Sequence, residues 1–332
     1  MSTPGPFSTR VTQLFGTRLP IVAGGLQWLA DARYVAAAAR AGIIGFITAA
    51  SFAELETLRD EIRRCHDLAA GAPFGVNLSM LPKLVADERT PALVELLIEE
   101  GVRFVETSGR SPEALLPALH GAGVRVLHKV PTLRHARKAQ ALGVDAVAVI
   151  GAEAGGHPGL ELIGTLVQSA LAAREIDIPL LIGGGIGSGA QLLAALALGA
   201  DGVIVGTRFL VAEEIWAHRD YKERLLAAGA ADTTLIQQSL RNTLRALSND
   251  TAAAVQAIER EHGGDLQRLL PLIAGRIGRR AYETGDTRHG ALSLGQSVAF
   301  ADRIEPLAAI VDRFEAEALA ALQRLDGLRA VS

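Results

Sequence analysis

The sequence predicts an α/β protein of the (β/α)8 class, a TIM barrel with a helical second domain inserted after strand 8. Short apolar runs recur through the first two thirds of the chain, and helical patterns alternate with them. After about residue 213 the alternation gives way to helical patterns alone. A chain of 332 residues has room for one large domain and an appended smaller one. A doubly wound sheet is the competing class, which eight evenly spaced units disfavour.

Eight runs have the composition of buried strands. Their starts lie about 20–35 residues apart, which suffices for a strand and a crossover helix. Runs of four or five consecutive apolar residues are typical of parallel strands, because these are covered on both faces. The predicted strands are residues 20–23, 43–48, 74–78, 102–107, 124–129, 146–150, 178–182 and 202–205.

Capping residues mark the helices between these strands. The predicted helix 31–41 begins at Asp31, a favourable N-cap residue, and is followed by Gly42. Three further helices begin at a serine or threonine: 111–122 at Ser111, 132–142 at Thr132 and 188–198 at Ser188.

The chain after Val205 indicates a second domain. Residues 214–299 contain no clear strand, and helices are predicted near 232–247, 250–261 and 265–281. Residues 303–327 form a long amphipathic pattern that can supply the last barrel helix. We therefore predict a barrel over 1–213, completed by 300–332, and a helical cap over 214–299.

Composition excludes several classes of protein. With 49% hydrophobic and 21% charged residues, the chain is not disordered. Its formal net charge of −3 disfavours nucleic acid as a partner. The single cysteine, Cys65, excludes an internal disulfide. No apolar stretch reaches about 18 residues and no signal core is visible, so we expect a cytoplasmic protein with no membrane segment.

Segments that contain glycine follow strands 7 and 8, where TIM barrels commonly bind phosphate. They are residues 183–189 and the pair Gly206-Thr207. Backbone N–H groups would bind the phosphate, and the hydroxyl of Thr207 would add a donor. Residues 185–190 also match the dinucleotide motif G-x-G-x-x-A. A Rossmann start is disfavoured here, because six βα units precede it and Asp201 comes before the next strand rather than at its end.

Three polar side chains near other strand ends are candidates for chemistry. Asn77 can donate to and accept from a heterocycle, and Lys129 can stabilise a developing anion. His157 lies among the glycines of 155–159 and is the candidate proton acceptor. Turn capping for Asn77 and simple solvation for Lys129 are the alternative interpretations. No histidine pair has a third ligand at suitable spacing, so we predict no metal site.

Together these motifs resemble the nitronate monooxygenase family, formerly called 2-nitropropane dioxygenases. The resemblance covers nearly the whole chain, including Ser239 to Asn242. It rests on Gly24-Gly25-Leu26-Gln27-Trp28, residues 74–78, Glu153 to His157, Gly184-Gly185-Ile186 and Gly206 to Phe209, in that order.

The resemblance implies FMN as the cofactor and His157 as the base that acts on neutral nitroalkanes. It implies that the phosphate is bound by Gly184, Gly185, Gly206 and Thr207. It implies ring contacts from Asn77 and Lys129. Four further residues are expected near the flavin: Gly24, Gly25, Leu26 and Gly156. Gln296, in the segment Gly295-Gln296, also resembles a family position near the flavin.

The implied reaction is oxidation of an alkyl nitronate with O2 to a carbonyl compound and nitrite. Ile150 stands where relatives usually carry a polar residue, and Pro158 resembles a branch of NADH:quinone reductases. NAD(P)H:quinone reduction and flavin-dependent enoyl reduction are therefore the alternatives within the family. A phosphate-ligand-binding barrel without catalysis is an alternative of another class. The sequence does not fix the oligomeric state, and a homodimer is compatible with it.

Overall fold

A closed barrel of eight parallel strands forms the body of the protein in a computed structural model that describes residues 5–80 and 89–328. Each strand pairs with the next, and Val22 of the first strand pairs with Ile44 on one side and Ile204 on the other. The predicted fold class and all eight predicted strands are confirmed. The strands are β1 Ile21–Ala23, β2 Ile44–Thr48, β3 Gly75–Met80, β4 Phe104–Gly109, β5 Arg125–Val130, β6 Ala146–Ile150, β7 Leu180–Gly183 and β8 Gly202–Val205.

Helices alternate with the strands and continue beyond them. Short 3-10 turns lie at 49–51, 207–211, 230–232 and 296–300. The described α-helices are α1 Arg10–Phe15, α2 Ala32–Arg40, α3 Leu55–Ala69, α4 Arg89–Glu99, α5 Leu116–Gly121, α6 Leu133–Ala141, α7 Thr165–Ala172, α8 Gly189–Ala197, α9 Arg219–Leu226, α10 Asp250–His262, α11 Leu266–Ile273, α12 Gly275–Thr284 and α13 Leu307–Asp326.

Three of the four predicted N-caps are confirmed. The side chains of Asp31, Thr132 and Ser188 each accept a hydrogen bond from the backbone N–H three residues later. The predicted start at Ser111 is wrong, because α5 begins at Leu116 and Pro117 occupies its first turn. Proline suits that position, since the N–H it lacks has no partner within the helix.

The interior of the barrel is closed at its amino-terminal end by α1. The ring of Phe15 packs edge-to-face against Phe46 and Phe104, with centroids 6.3 and 5.2 Å apart. Phe104 is the first residue of β4, so this contact lies where the strands begin. The carboxyl ends of the strands are left to bind a ligand.

The segment between β8 and α13 differs from the sequence prediction. It contains an antiparallel hairpin, β9 Thr233–Ile236 and β10 Leu244–Leu247, so the predicted helix over 232–247 and the absence of strands are wrong. The hairpin also pairs with distant backbone, through bridges from Arg245 to Gly156 and from Ala246 to Ser293. Tertiary pairing of this kind overrides local propensity.

The helices of this segment are partly as predicted. The helix predicted over 250–261 is confirmed by α10. The helix predicted over 265–281 is divided into α11 and α12, because Ala274 between them is extended (ψ 127°).

Helix α13 occupies the place of the eighth barrel helix, as the sequence suggests. It packs against α8 and α2, and its Glu317 accepts a hydrogen bond of 2.7 Å from the N–H of Gly189. The division into a barrel and a cap stays a prediction, and its outermost positions, 1–4 and 329–332, lie outside the described residues. Within the described ranges, no helix is long and apolar enough to cross a membrane.

Candidate active site

A cavity of about 970 Å³ opens at the carboxyl ends of the barrel strands. The cavity brings together residues that are far apart in the sequence. Of the predicted site residues, Gln296 does not line the cavity, although its neighbour Ser297 does. The predicted site residues that line the cavity are Gly24, Gly25, Leu26, Asn77, Lys129, Gly156, His157, Gly184, Gly185, Gly206 and Thr207.

A buried carboxylate lies beneath this cavity and joins two of the predicted residues. Glu106 on β4 has no exposed surface, and its Oε1 lies 3.0 Å from Nζ of Lys129 on β5. Its Oε2 accepts hydrogen bonds from Nδ2 of Asn77 (2.6 Å) and from the N–H of Gly25 (3.3 Å). We call Asn77, Glu106 and Lys129 the floor network. A buried ion pair of this kind holds both partners in a defined position.

The floor network fixes the orientation of the Asn77 amide. Its Nδ2 faces the Glu106 carboxylate, which can only accept when ionised, and its Oδ1 accepts a hydrogen bond from the hydroxyl of Ser79 (2.9 Å). One N–H of the amide is thereby left for a ligand. Asn77 is set to donate a hydrogen bond into the cavity rather than to accept one.

A group that we call the glycine cradle, formed by Gly184, Gly185, Gly206 and Thr207, lies at the ends of β7 and β8. Gly184 and Gly185 have φ values of 103° and 70°, a region that favours glycine. Their N–H groups donate no hydrogen bond within the described ranges. Gln191 holds the loop by donating to the carbonyl of Gly185 (2.9 Å). The arrangement provides free donors for an anion.

The hydroxyl of Thr207 is held in position for donation. Its Oγ1 accepts a hydrogen bond of 2.9 Å from the N–H of Gly295, so its proton can point to a ligand oxygen. The N–H of Gln296 donates to the carbonyl of Glu153 (2.9 Å). The segment Gly295-Gln296 thus supports the cradle through its backbone, and a role of Gln296 in binding the flavin stays a prediction.

The loop that carries His157 is fixed by the hairpin. Gly156 and Arg245 exchange two backbone hydrogen bonds, of 2.7 and 3.1 Å, and Nε of Arg245 donates to the carbonyl of Ala152 (2.9 Å). His157 lines the cavity with an exposed side chain, and partial desolvation by the surrounding protein lowers the pKa of its imidazole. The lowered pKa favours the unprotonated form of the ring, which can accept a proton.

Comparison with known proteins shows the family of the chain. Residues 8–317 match the family profile described as nitronate monooxygenase. The chain belongs to the nitronate monooxygenase family. The resemblance noted from the motifs is thereby confirmed.

Relatives within and around the family carry different names. A nitronate monooxygenase of Paraburkholderia phytofirmans is 31% identical over 71% of this chain and 66% of its own. A (3aS,4S,5R,7aS)-5-hydroxy-7a-methyl-1-oxo-octahydro-1H-indene-4-carboxyl-CoA dehydrogenase of Rhodococcus jostii is 36% identical over 79% of this chain and 70% of its own. The structure of FabK from Thermotoga maritima superposes with a TM-score of 0.89, at 31% identity, over 97% of this chain and 100% of that one. The chain is therefore an oxidoreductase of this family whose substrate these names leave open.

Two residues of this site were not predicted from the sequence. Glu106 lies in the middle of a strand, with no flanking glycine or motif to single it out. Thr48 ends β2, and its buried Oγ1 lines the cavity without a hydrogen-bond partner in the described structure. Its position at the carboxyl end of a barrel strand was the available signal.

Proposed function

We propose that the chain is an FMN-dependent oxidoreductase whose leading reaction is oxidation of alkyl nitronates with O2 to a carbonyl compound and nitrite. The observation that carries this proposal is the position of His157. Its unprotonated ring shares one cavity with the glycine cradle and the floor network. A base, an anion site and a fixed cation are the groups that such chemistry requires.

The residues that line the cavity fit FMN. The unpaired N–H groups of Gly184 and Gly185 and the hydroxyl of Thr207 would hold the phosphate. A Cβ on Gly206 would meet only Leu26, at 3.6 Å, so space is open on that side. Asn77 and Lys129 would contact the ring, and the unsatisfied Oγ1 of Thr48 would gain a partner. When bound, FMN supplies the capacity to take up and release electrons.

The residues of this chain handle protons and charge. An unprotonated ring nitrogen of His157 accepts the proton from the α-carbon of a neutral nitroalkane. A nitronate arrives already deprotonated, so its oxidation does not need this step. Nζ of Lys129 keeps two N–H donors beyond its contact with Glu106, and these favour negative charge in the cavity.

A second candidate is an NAD(P)H-dependent reductase that acts on a quinone or an enoyl thioester. The observation that favours it is the name of the Rhodococcus jostii relative, which specifies a CoA thioester. Under either candidate the substrates are small molecules, with O2 as oxidant for the first. Cytoplasmic location and a homodimer remain predictions from the sequence.

Aerobic turnover tests the proposal. FMN-loaded protein is supplied with propyl-2-nitronate, and nitrite formation and O2 consumption are measured against free FMN as the blank. The proposal expects protein-dependent nitrite with matching O2 uptake. It fails if nitrite does not exceed the blank while NADH or NADPH is oxidised in the presence of a quinone.

A further inference from the structure

Among the described residues, the lining of the cavity is positively charged although the chain as a whole is not. The chain has 36 acidic and 33 basic residues, yet the described cavity lining contains no aspartate or glutamate. Its basic side chains are Arg89, Arg110, Lys129, Lys138 and Arg241. Glu106 balances Lys129 from below, and a flavin phosphate adds up to about two negative charges. Leaving Arg89 out of the balance, Arg110, Lys138 and Arg241 still provide positive charge for a second anionic ligand.

Arg241 is held at the edge of this cavity in an unfavourable backbone conformation. It lies in the turn between β9 and β10 with φ 52°, where glycine or asparagine would be less strained. Its side chain is exposed, and its guanidinium makes no ion pair or hydrogen bond within the described residues. Backbone strain of this kind is retained where the surrounding structure enforces it, most often at functional sites.

The turn is enforced by α10 and not by Arg241 itself. The carboxylate of Glu259 accepts hydrogen bonds from the N–H of Gln237 (3.0 Å), the N–H of Ser239 (2.8 Å) and the hydroxyl of Ser239 (2.6 Å). Gln237 also has a positive φ of 62°. The guanidinium of Arg241 is therefore presented by a rigid support, and nothing in its own contacts explains the choice of arginine.

The hairpin relates Arg241 to the reacting centre. Arg245 is paired with Gly156, next to His157, and four extended residues span at most about 14 Å. Arg241 and His157 line the same cavity. A single elongated molecule can thus contact both, with a reactive end at His157 and an anionic end at Arg241.

We propose that Arg241 is the anchor of a second anion site, which takes the phosphorylated adenosine diphosphate arm of a CoA thioester or of NADPH. A guanidinium binds phosphate through two parallel hydrogen bonds, which a lysine cannot reproduce. The inference rests on the reductase candidate proposed above and not on nitronate oxidation, because a nitronate has no such arm.

Calorimetric titration of the FMN-loaded protein with CoA, and separately with NADPH, tests the site. We expect at least one ligand to bind, and Arg241→Ala to weaken its binding about tenfold or more. Arg260→Ala is the matched control, since Arg260 is an exposed arginine of α10 outside the cavity lining, and its affinity should equal that of the wild type. If only CoA binds, the natural ligand of the site is a CoA thioester. If only NADPH binds, the natural ligand is the nicotinamide cofactor.

Arg241→Gly separates a binding role from a structural one. Glycine tolerates positive φ, so this variant should keep or raise the thermal unfolding midpoint while losing affinity as Arg241→Ala does. The proposal is overturned if neither ligand binds the wild type, if Arg241→Ala binds equally well, or if Arg241→Gly loses stability together with affinity. Nitrite formation from nitronate, measured on the same preparations, reports the other proposal separately.

Discussion

Nζ of Lys129 lies 3.0 Å from Oε1 of Glu106, and this ion pair joins β5 to β4 directly beneath the cavity. The carboxylate is fully buried and also holds the amide of Asn77. Charge at the floor is thus nearly balanced before any ligand binds. This balance sets how strongly the site favours negative charge on a ring placed above it.

Removing the carboxylate should shift the reduction potential of bound flavin. In Glu106→Gln the charge of Lys129 is uncompensated, so the potential should rise by tens of millivolts, where 30 mV corresponds to about 1.4 kcal/mol for a two-electron couple. Lys129→Met should shift it in the opposite direction. Spectroelectrochemical titration measures both, with Glu223→Gln on the exposed side of α9 as control. Unchanged potentials in both floor variants would contradict the account.

The glycine cradle predicts a charge-dependent loss of FMN. Gly206 has φ −121°, and a Cβ there would be 3.6 Å from Leu26, so Gly206→Ala should fold and retain FMN. Gly206→Asp adds a carboxylate beside the phosphate and should yield folded, colourless protein. Flavin content per chain and the far-UV spectrum decide between them. Full FMN content in Gly206→Asp would refute the assignment of the phosphate site.

Gly185→Asp tests the same assignment less cleanly. Gly185 has φ 70°, and a Cβ there would lie 3.1 Å from Glu153. Loss of FMN in that variant would combine backbone strain, crowding and charge.

His157→Ala should separate two substrates. Loss of a positioned base typically costs about 10²–10⁴-fold, so turnover of a neutral nitroalkane should fall by that factor. Nitronate turnover should fall much less, and FMN should stay bound. Steady-state kinetics with the nitroalkane and with its preformed nitronate make the comparison. Equal losses of turnover with both substrates would show that His157 does not act as the base.

The pH profile provides a second readout for the same residue. Partial desolvation lowers the pKa of His157, so its basic form persists to lower pH than that of a free histidine. For the wild type, the acidic limb of kcat/KM with nitroalkane should lie below about 6.5. A limb above that value would contradict the environment described for the ring.

Buried His128 should make the fold acid-sensitive. Its Nδ1 lies 2.8 Å from Oγ1 of Thr107, and desolvation lowers its pKa to about 4. The unfolded chain binds the proton near pH 6.5, so stability is lost as the pH falls from about 6.5 to 4, by up to about 1.4 kcal/mol per pH unit. Urea unfolding at pH 7 and 5 should show a smaller pH effect in His128→Gln. His262→Gln, an exposed histidine, should match the wild type.

The barrel and the loops of the site could be predicted because their signals are local. Apolar runs, N-cap residues such as Asp31 and Ser188, and glycines after the strands can each be recognised from a few neighbouring residues. Glu106 could not be recognised, since barrel strands are buried on both faces and alternation does not tell the inside from the outside. Its role depends on β3 and β5, which pair with β4 only in the folded chain.

The hairpin was missed for a related reason. The sequences of β9 and β10 are only four residues each, and they are stabilised by pairing with Gly156 and Ser293. Segments as short as these contain too few residues for an alternating pattern of apolar and polar side chains to distinguish a strand from a helix. The turn residues Gln237 and Arg241 also carry positive φ without being glycine, so the usual turn signal is absent.

Anaerobic mixing of the FMN-loaded protein with nitronate, NADH and NADPH in separate experiments tests the central claim most directly. Bleaching of the yellow flavin absorbance identifies the compound that delivers electrons. The account predicts rapid bleaching by nitronate and return of the colour when O2 is admitted. Rapid bleaching by NADH or NADPH, with no change on adding nitronate, would contradict nitronate oxidation and establish the reductase in its place.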